Sequence, residues 1–150
     1  MNTNYLKSII NDIFLTDSPS GYYNHINKVI IDKLSNMGYE ANVNNKGNVE
    51  LFIKGLSSEK RVATAAHCDT LGLMVRSISS DGTLKVTAVG GPSIPTLDGE
   101  YCKVFTRDGR VYSGTILSLS PAVHVYKDSG SRERSIDTIC VRLDEIVKSK

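Results

Sequence analysis

From Asn4 to Leu15 the apolar residues Leu6, Ile9, Ile10, Ile13 and Phe14 follow the i, i+3, i+4, i+7, i+8 series, which lines one face of an α-helix. Asn2 or Thr3 offers a side-chain oxygen as N-cap. The turn formers Thr16-Asp17-Ser18-Pro19-Ser20-Gly21 then break the pattern. Ile26, Val29, Ile30, Leu34 and Met37 mark a second helical face that stops at Gly38, a residue suited to the left-handed C′ position. Beyond it the period shortens. Tyr39 to Val43 reads as extended, Asn44 to Asn48 as a turn in which Gly47 can take positive φ, and Val49, Leu51 and Ile53 alternate with polar residues, so a hairpin is expected. Val62-Ala63-Thr64-Ala65-Ala66 is a nearly continuous run of small residues, the pattern of a strand covered on both faces. Two helices followed by these strands predict the start of an α/β sheet with flanking helices.

After Thr70 the helical period disappears. Leu71–Ser79, Thr83–Val89, Tyr101–Thr106, Arg110–Leu117 and Thr138–Leu143 are all β-like, and Asp81-Gly82 and Asp108-Gly109 are compact hairpin turns. Short antiparallel strands at this spacing predict a small barrel or sandwich. The change of texture places a domain boundary between Asp69 and Gly72. Gly90-Gly91-Pro92-Ser93-Ile94-Pro95 reads as a turn-rich connection, and Pro121–Tyr126 with Asp128–Ser135 as a long, solvated, mobile loop. His124 is expected there as a loop or interface histidine, and His25, just off the second helical face, as solvated or hydrogen-bonded.

Composition narrows the functional classes. With 150 residues, 40% hydrophobic and 23% charged, the chain has the make-up of one ordinary domain or two small ones. Its 18 basic and 16 acidic residues are dispersed along the sequence and leave a net charge of +2. That is no footprint for nucleic acid or an anionic membrane. No apolar run approaches the ~20 residues that span a bilayer, and Met1–Lys7 is not a basic segment leading into an apolar one, so a cytoplasmic protein is expected. Cys68, Cys102 and Cys140 are odd in number, far apart and without C-x-x-C spacing, which predicts reduced, buried thiols.

The candidate chemistry lies in Arg61–Val75, R-V-A-T-A-A-H-C-D-T-L-G-L-M-V. In an extended segment residues i and i+2 point the same way, so His67 and Asp69 can meet while Cys68 faces the other side. A carboxylate that accepts the second N–H of an imidazole fixes its tautomer and raises its basicity, as around metal-bound histidines. The same pair could serve as a base for a Ser or Cys nucleophile, but no G-x-S-x-G elbow accompanies it, and no pair of acids is marked out as a glycosidase couple. Metal coordination is the best functional reading. The inventory is short for it: a catalytic zinc takes three protein ligands, and neither His25 nor His124 has ligand-like spacing.

Three segments in this order, Ser20–Tyr23 (S-G-Y-Y), Ala66–Val75 (A-H-C-D-T-L-G-L-M-V) and Val89–Gly91 (V-G-G), resemble the N-terminal part of the tetrahedral aminopeptidases, the two-metal exopeptidases named glutamyl, deblocking or cellulase-like. Asp81–Gly91 and Gly114–Tyr126 support the likeness. The resemblance implies an α/β class: a partial catalytic domain of two helices and a sheet over residues 1–70, and a small antiparallel β-barrel dimerisation domain inserted over 71–145. Residues 146–150 would begin the return to the catalytic domain. It further implies two zinc or cobalt ions, with His67 as a metal ligand and Asp69 as the catalytic residue that orients it. Dimers would build a dodecamer that trims short peptides. The family's H-x-D-E-I-G stands here as H-C-D-T-L-G, with Thr70 and Leu71 at the altered places, and Tyr23 occupies the glutamate position of S-G-x-E.

On this resemblance the remaining metal ligands and the catalytic glutamates lie beyond Lys150. The 150 residues are therefore expected to be an N-terminal portion, inactive in isolation and binding metal weakly or not at all. The alternative is a non-catalytic β-barrel assembly or binding module in which the His67-Asp69 motif is vestigial.

Overall fold

The computed structural model describes residues 2–57 and 59–146. The expected return to the catalytic domain over 146–150 lies, apart from Ile146, outside the described residues. The chain divides into two compact units, one ending at Thr70 and the other starting at Leu71.

The first unit holds α1 (Thr3–Phe14), α2 (Asn24–Asn36) and a hairpin of β1 (Asn42–Val43) with β2 (Val49–Glu50). Asn2 caps α1, its side-chain oxygen accepting from the N–H groups of Asn4 and Tyr5 at 3.1 and 3.2 Å. At the other end of α2, Gly38 has φ +82°, its N–H donates to the Ser35 carbonyl, and the Tyr39 N–H donates to Leu34, both at 2.9 Å. This is the Schellman arrangement that a glycine at C′ allows. The hairpin turn is fastened to the start of α2: buried Asn27 donates from Nδ2 to the Gly47 carbonyl at 2.8 Å, and the Tyr23 ring lies directly over Gly47. Apolar burial is sparse. Ile26 is the buried hydrophobic residue of this unit among the described residues, while Phe14, Leu15, Phe52, Ile53 and Leu56 are exposed.

One expectation fails here. Residues 62–66 form no strand and are exposed rather than covered on both faces. Small apolar residues express a preference for burial, but a strand exists only where a neighbour completes its ladder. Among the described residues the bridge nearest this segment is a single parallel one, between Pro19 and Thr70.

The second unit is one five-stranded sheet of β3 (Gly72–Ile78), β4 (Leu84–Val89), β5 (Tyr101–Phe105), β6 (Val111–Ser118) and β7 (Ile139–Leu143), in the order β3-β4-β7-β6-β5. All its pairings are antiparallel. Alternation builds its core: Leu84 and Val86 from β4, Ile116 from β6, Ile139 and Val141 from β7, with Leu73, Ile94, Leu97 and Val104 packed around them. Among the described residues no ladder joins the end strands β3 and β5, so the hydrogen bonding is that of an open sheet.

The hairpins share one turn. In 44–48, 79–83 and 106–110 the first residue's N–H donates to the carbonyl of the fifth, the glycine at the fourth place donates to the first carbonyl, and that glycine has φ between +82° and +84°. This is a type I turn closed by a left-handed residue, the common three-residue hairpin loop.

The stretch expected as a solvated loop, Pro121–Tyr126 with Asp128–Ser135, is exposed along most of its length, and Ser129 is its buried residue. Ser120 and Ser129 are buried, Ser129 Oγ donates to the Ser120 carbonyl at 2.7 Å, Arg132 donates to Ser120 Oγ, and Arg134 donates to the carbonyl of Ser129 at 3.0 Å while facing Asp98 at 3.4 Å. These side-chain contacts tie Ser129, Arg132 and Arg134 to neighbouring groups. No helix among the described residues is long and apolar enough to cross a membrane.

Gly47→Ala should be among the most damaging small substitutions in the chain. The added Cβ would sit 2.4 Å from the Tyr23 ring on a backbone of φ +84°, and strain plus overpacking together cost about 2–4 kcal/mol. Gly55→Ala, whose Cβ would meet nothing closer than 3.7 Å, should shift the urea midpoint by less than about a quarter of that.

A second test concerns the 106–110 turn. Hydrogen bonds from Arg110 and Thr106 bring the Asp108 carboxyl down to about 2. A depressed carboxyl stabilises the fold above its unfolded value, 3.8, and that contribution is lost as pH falls through the folded value. NMR titration of Asp108 should therefore give a midpoint near 2, and Arg110→Ala should move it towards 3.8.

Candidate functional site

His67 and Asp69 lie near the end of the first unit, in a stretch, 61–69, that belongs to no helix or strand. His67 Nδ1 is 3.1 Å from Asp69 Oδ1, with the imidazole 86% and the carboxylate 51% exposed. The i, i+2 geometry read from the sequence is thus formed, and Cys68 between them is alone part-buried within residues 61–70.

What the sequence did not disclose is the loop that braces them. Ser18, only 1% exposed, donates from Oγ to the Cys68 carbonyl at 2.8 Å. The Thr70 N–H donates to the Ser18 carbonyl at 2.9 Å, and the Ser20 N–H returns to the Thr70 carbonyl at 3.2 Å. The Ser20 hydroxyl donates to Asp69 Oδ2, the carboxylate oxygen that His67 does not use. In the sequence these serines read as helix-breaking turn formers, and nothing in their spacing pairs them with residues about fifty positions on.

The electrostatics follow from these contacts. The Ser20 hydrogen bond holds the Asp69 carboxyl below its ordinary 3.8, against a smaller opposing effect of desolvation, and the His67 contact adds to the lowering. Asp69 is therefore an anion at neutral pH and can only accept hydrogen bonds. The hydrogen in the 3.1 Å contact must then sit on His67 Nδ1, which leaves the Nε2 lone pair free of a proton in the neutral ring. Chemically that nitrogen suits a divalent metal ion.

The rest of a ligand set is not assembled. Among the described residues no group of three or more His, Cys, Asp or Glu side chains could hold a metal ion. His25 packs edge-on against the Tyr22 ring at 5.3 Å, and His124 is exposed in the second unit. A nucleophilic couple is not formed either: the hydroxyl that reaches the pair, Ser20, is on the carboxylate and not on the imidazole. The cysteines are all free, Cys140 buried and Cys68 and Cys102 half-buried, so the fully buried state expected for all of them holds for Cys140. Desolvation pushes the Cys102 and Cys140 thiols up, which keeps them protonated and unreactive.

A family model described as M42 glutamyl aminopeptidase matches residues 47–150. YhfE of Bacillus subtilis (strain 168), designated an aminopeptidase, is 37% identical over 139 residues, which cover 93% of this chain and 40% of that protein. The structure of a TET aminopeptidase from the marine sediment archaeon Thaumarchaeota archaeon SCGC AB-539-E09 matches with a TM-score of 0.83 at 23% identity, over 96% of this chain and 39% of that one. A Pyrococcus horikoshii TET1 peptidase, which can assemble into a tetrahedron or a large octahedral shell, matches with a TM-score of 0.73 at 24% identity, over 96% and 44%. At those identities the structures speak for the fold alone. The chain spans about 40% of the length of the curated relative.

The brace makes a direct prediction. Ser18→Ala removes the donor to the Cys68 carbonyl, a net loss of about 1 kcal/mol. The Thr70 amide, which donates to the Ser18 carbonyl, should exchange hydrogen several-fold faster in the variant, while amides of the 106–110 turn keep their native rates.

Proposed function

The chain belongs to the M42 glutamyl aminopeptidase family, and on that premise we propose that it forms the N-terminal portion of a two-metal aminopeptidase that removes N-terminal residues from short peptides. The observation that carries this reading is the 3.1 Å contact of His67 Nδ1 with Asp69 Oδ1, inside the stretch that the family model matches. His67 offers Nε2 to one of two zinc or cobalt ions, and Asp69 orients the ring without itself being a ligand. Divalent ions in such enzymes polarise the scissile carbonyl and lower the pKa of bound water. What this chain's residues contribute is an imidazole in the right tautomer, a fixed negative charge behind it, and a position open to solvent and peptide.

Residues 71–145 form the dimerisation insert, a small β-barrel in the assembled enzyme, and subunits pair as dimers that build a dodecamer. Exposed Met74 on β3 and Tyr101 on β5 support this, since apolar side chains on edge strands invite a partner. The free thiols suit the reducing cytoplasm.

In isolation the 150 residues should bind metal weakly and lack peptidase activity, because His67 is one donor where a catalytic zinc takes about three. The same shortage of donors favours a second reading, an assembly module with a vestigial motif.

Two measurements separate these. Calorimetric titration of the 150-residue chain with zinc should give weak heat that disappears in His67→Ala; tight stoichiometric binding, or chelator-sensitive release of nitroaniline from an aminoacyl-nitroanilide, would overturn the one-donor account. Residues 1–150 grafted in place of the matching stretch of YhfE should support chelator-sensitive hydrolysis of such a substrate. His67→Ala in the graft should lower it about 100-fold or more. A folded graft without activity would favour the assembly module.

A further inference from the structure

We propose that Ser20 is a positioning residue that sets the tautomer of His67 through Asp69, a role that rests on the reading of His67 as a ligand for a divalent cation through Nε2. The chain of contacts is continuous: the Ser20 hydroxyl donates to Asp69 Oδ2, and Asp69 Oδ1 accepts from His67 Nδ1 at 3.1 Å. Alone, a carboxylate that is 51% exposed would turn about its last bond and exchange the imidazole for water, because its terminal torsion is broad and two-fold. The serine occupies one oxygen and so presents the other to Nδ1.

The hydroxyl can do this because its own backbone is held. The Ser20 N–H donates to the Thr70 carbonyl at 3.2 Å and the Thr70 N–H to the Ser18 carbonyl at 2.9 Å, one on each side of the parallel Pro19–Thr70 bridge. Ser18 Oγ donates to the Cys68 carbonyl at 2.8 Å. On the far side, the Tyr22 N–H closes on the Pro19 carbonyl at 2.7 Å, with Gly21 at φ +87° completing the turn. The Ser20 side chain and the carboxylate it addresses are thus fixed by the same clasp, although they are 49 positions apart. A serine that served only to brace the loop would need its backbone contacts and not its hydroxyl. A hydroxyl on the carboxylate oxygen opposite the imidazole acts on the ring.

The test reads the ring directly. Long-range proton–nitrogen NMR on the metal-free 150-residue chain at pH 8 reports the His67 tautomer. The Nδ1–H form should dominate in the native chain. Ser20→Ala should shift the tautomer ratio towards Nε2–H by roughly fivefold, the equivalent of one typical hydrogen bond. Ser20→Thr, which keeps the hydroxyl, should restore the native ratio. Asp69→Asn should remove the bias, after which Ser20→Ala should add nothing.

Unchanged ring nitrogens in Ser20→Ala, with the backbone spectrum native, would overturn the proposal. So would an effect of Ser20→Ala that persists in full beside Asp69→Asn. Neither metal nor peptide is present, so the outcome is independent of the aminopeptidase reading. A tautomer that responds while the graft is inactive sinks the function, and an active graft with an unresponsive tautomer sinks the role of Ser20.

Discussion

The pair of backbone hydrogen bonds between Ser18–Ser20 and Thr70 is the constraint on which the first unit depends. It joins the loop after α1 to Thr70 and so places the Ser18 and Ser20 side chains against Cys68 and Asp69. This unit has little apolar burial to organise it, with Ile26 its buried hydrophobic residue among those described. Directional polar contacts take that part: Asn27 on the Gly47 carbonyl and Ser18 on the Cys68 carbonyl. Each such bond is worth about 1 kcal/mol net, so they specify geometry more than they supply stability.

The second unit is organised the other way. Its core of Leu84, Val86, Ile116, Ile139 and Val141 is continuous across the three central strands, and its hairpin turns are set by glycines at one recurring place. β4 and β6 each pair with a hairpin partner adjacent in sequence, and β7 then enters between them. Close approach matters at that seam: Gly114 of β6 lies opposite Leu143 of β7, and a Cβ there would come within 2.8 Å of the Arg142 carbonyl oxygen. Stability of this unit rests on burial, which is non-directional and tolerant.

At the site, exposure decides which physical effect matters. Water screens the charge of Asp69, so its contribution to His67 is orientation rather than a deep electrostatic well. An imidazole held in one tautomer and open to solvent is well suited to share a metal with other donors and poorly suited to hold one unaided. His67 is a single candidate donor, and a complete metal site needs more side chains than the described residues bring together.

Much of the secondary structure was legible because it is local. The i, i+3, i+4 rows drew α1 and α2, the alternation after Thr70 drew β3 to β7, and Asp-Gly pairs drew their turns, since φ/ψ preference and facial burial are written within a few residues. The His67–Asp69 contact belongs to the same class, between side chains two positions apart. The failures are all non-local. Residues 62–66 carry a strand's composition but no ladder, and the Ser20 hydroxyl finds Asp69 across 49 positions. The sequence by itself determined the helices, the strand spacing, the shared turns and the family of the H-C-D segment. Only the tertiary structure decided which groups complete each hydrogen bond, because a donor's partner is fixed by where the folded chain carries it and not by the residues beside it.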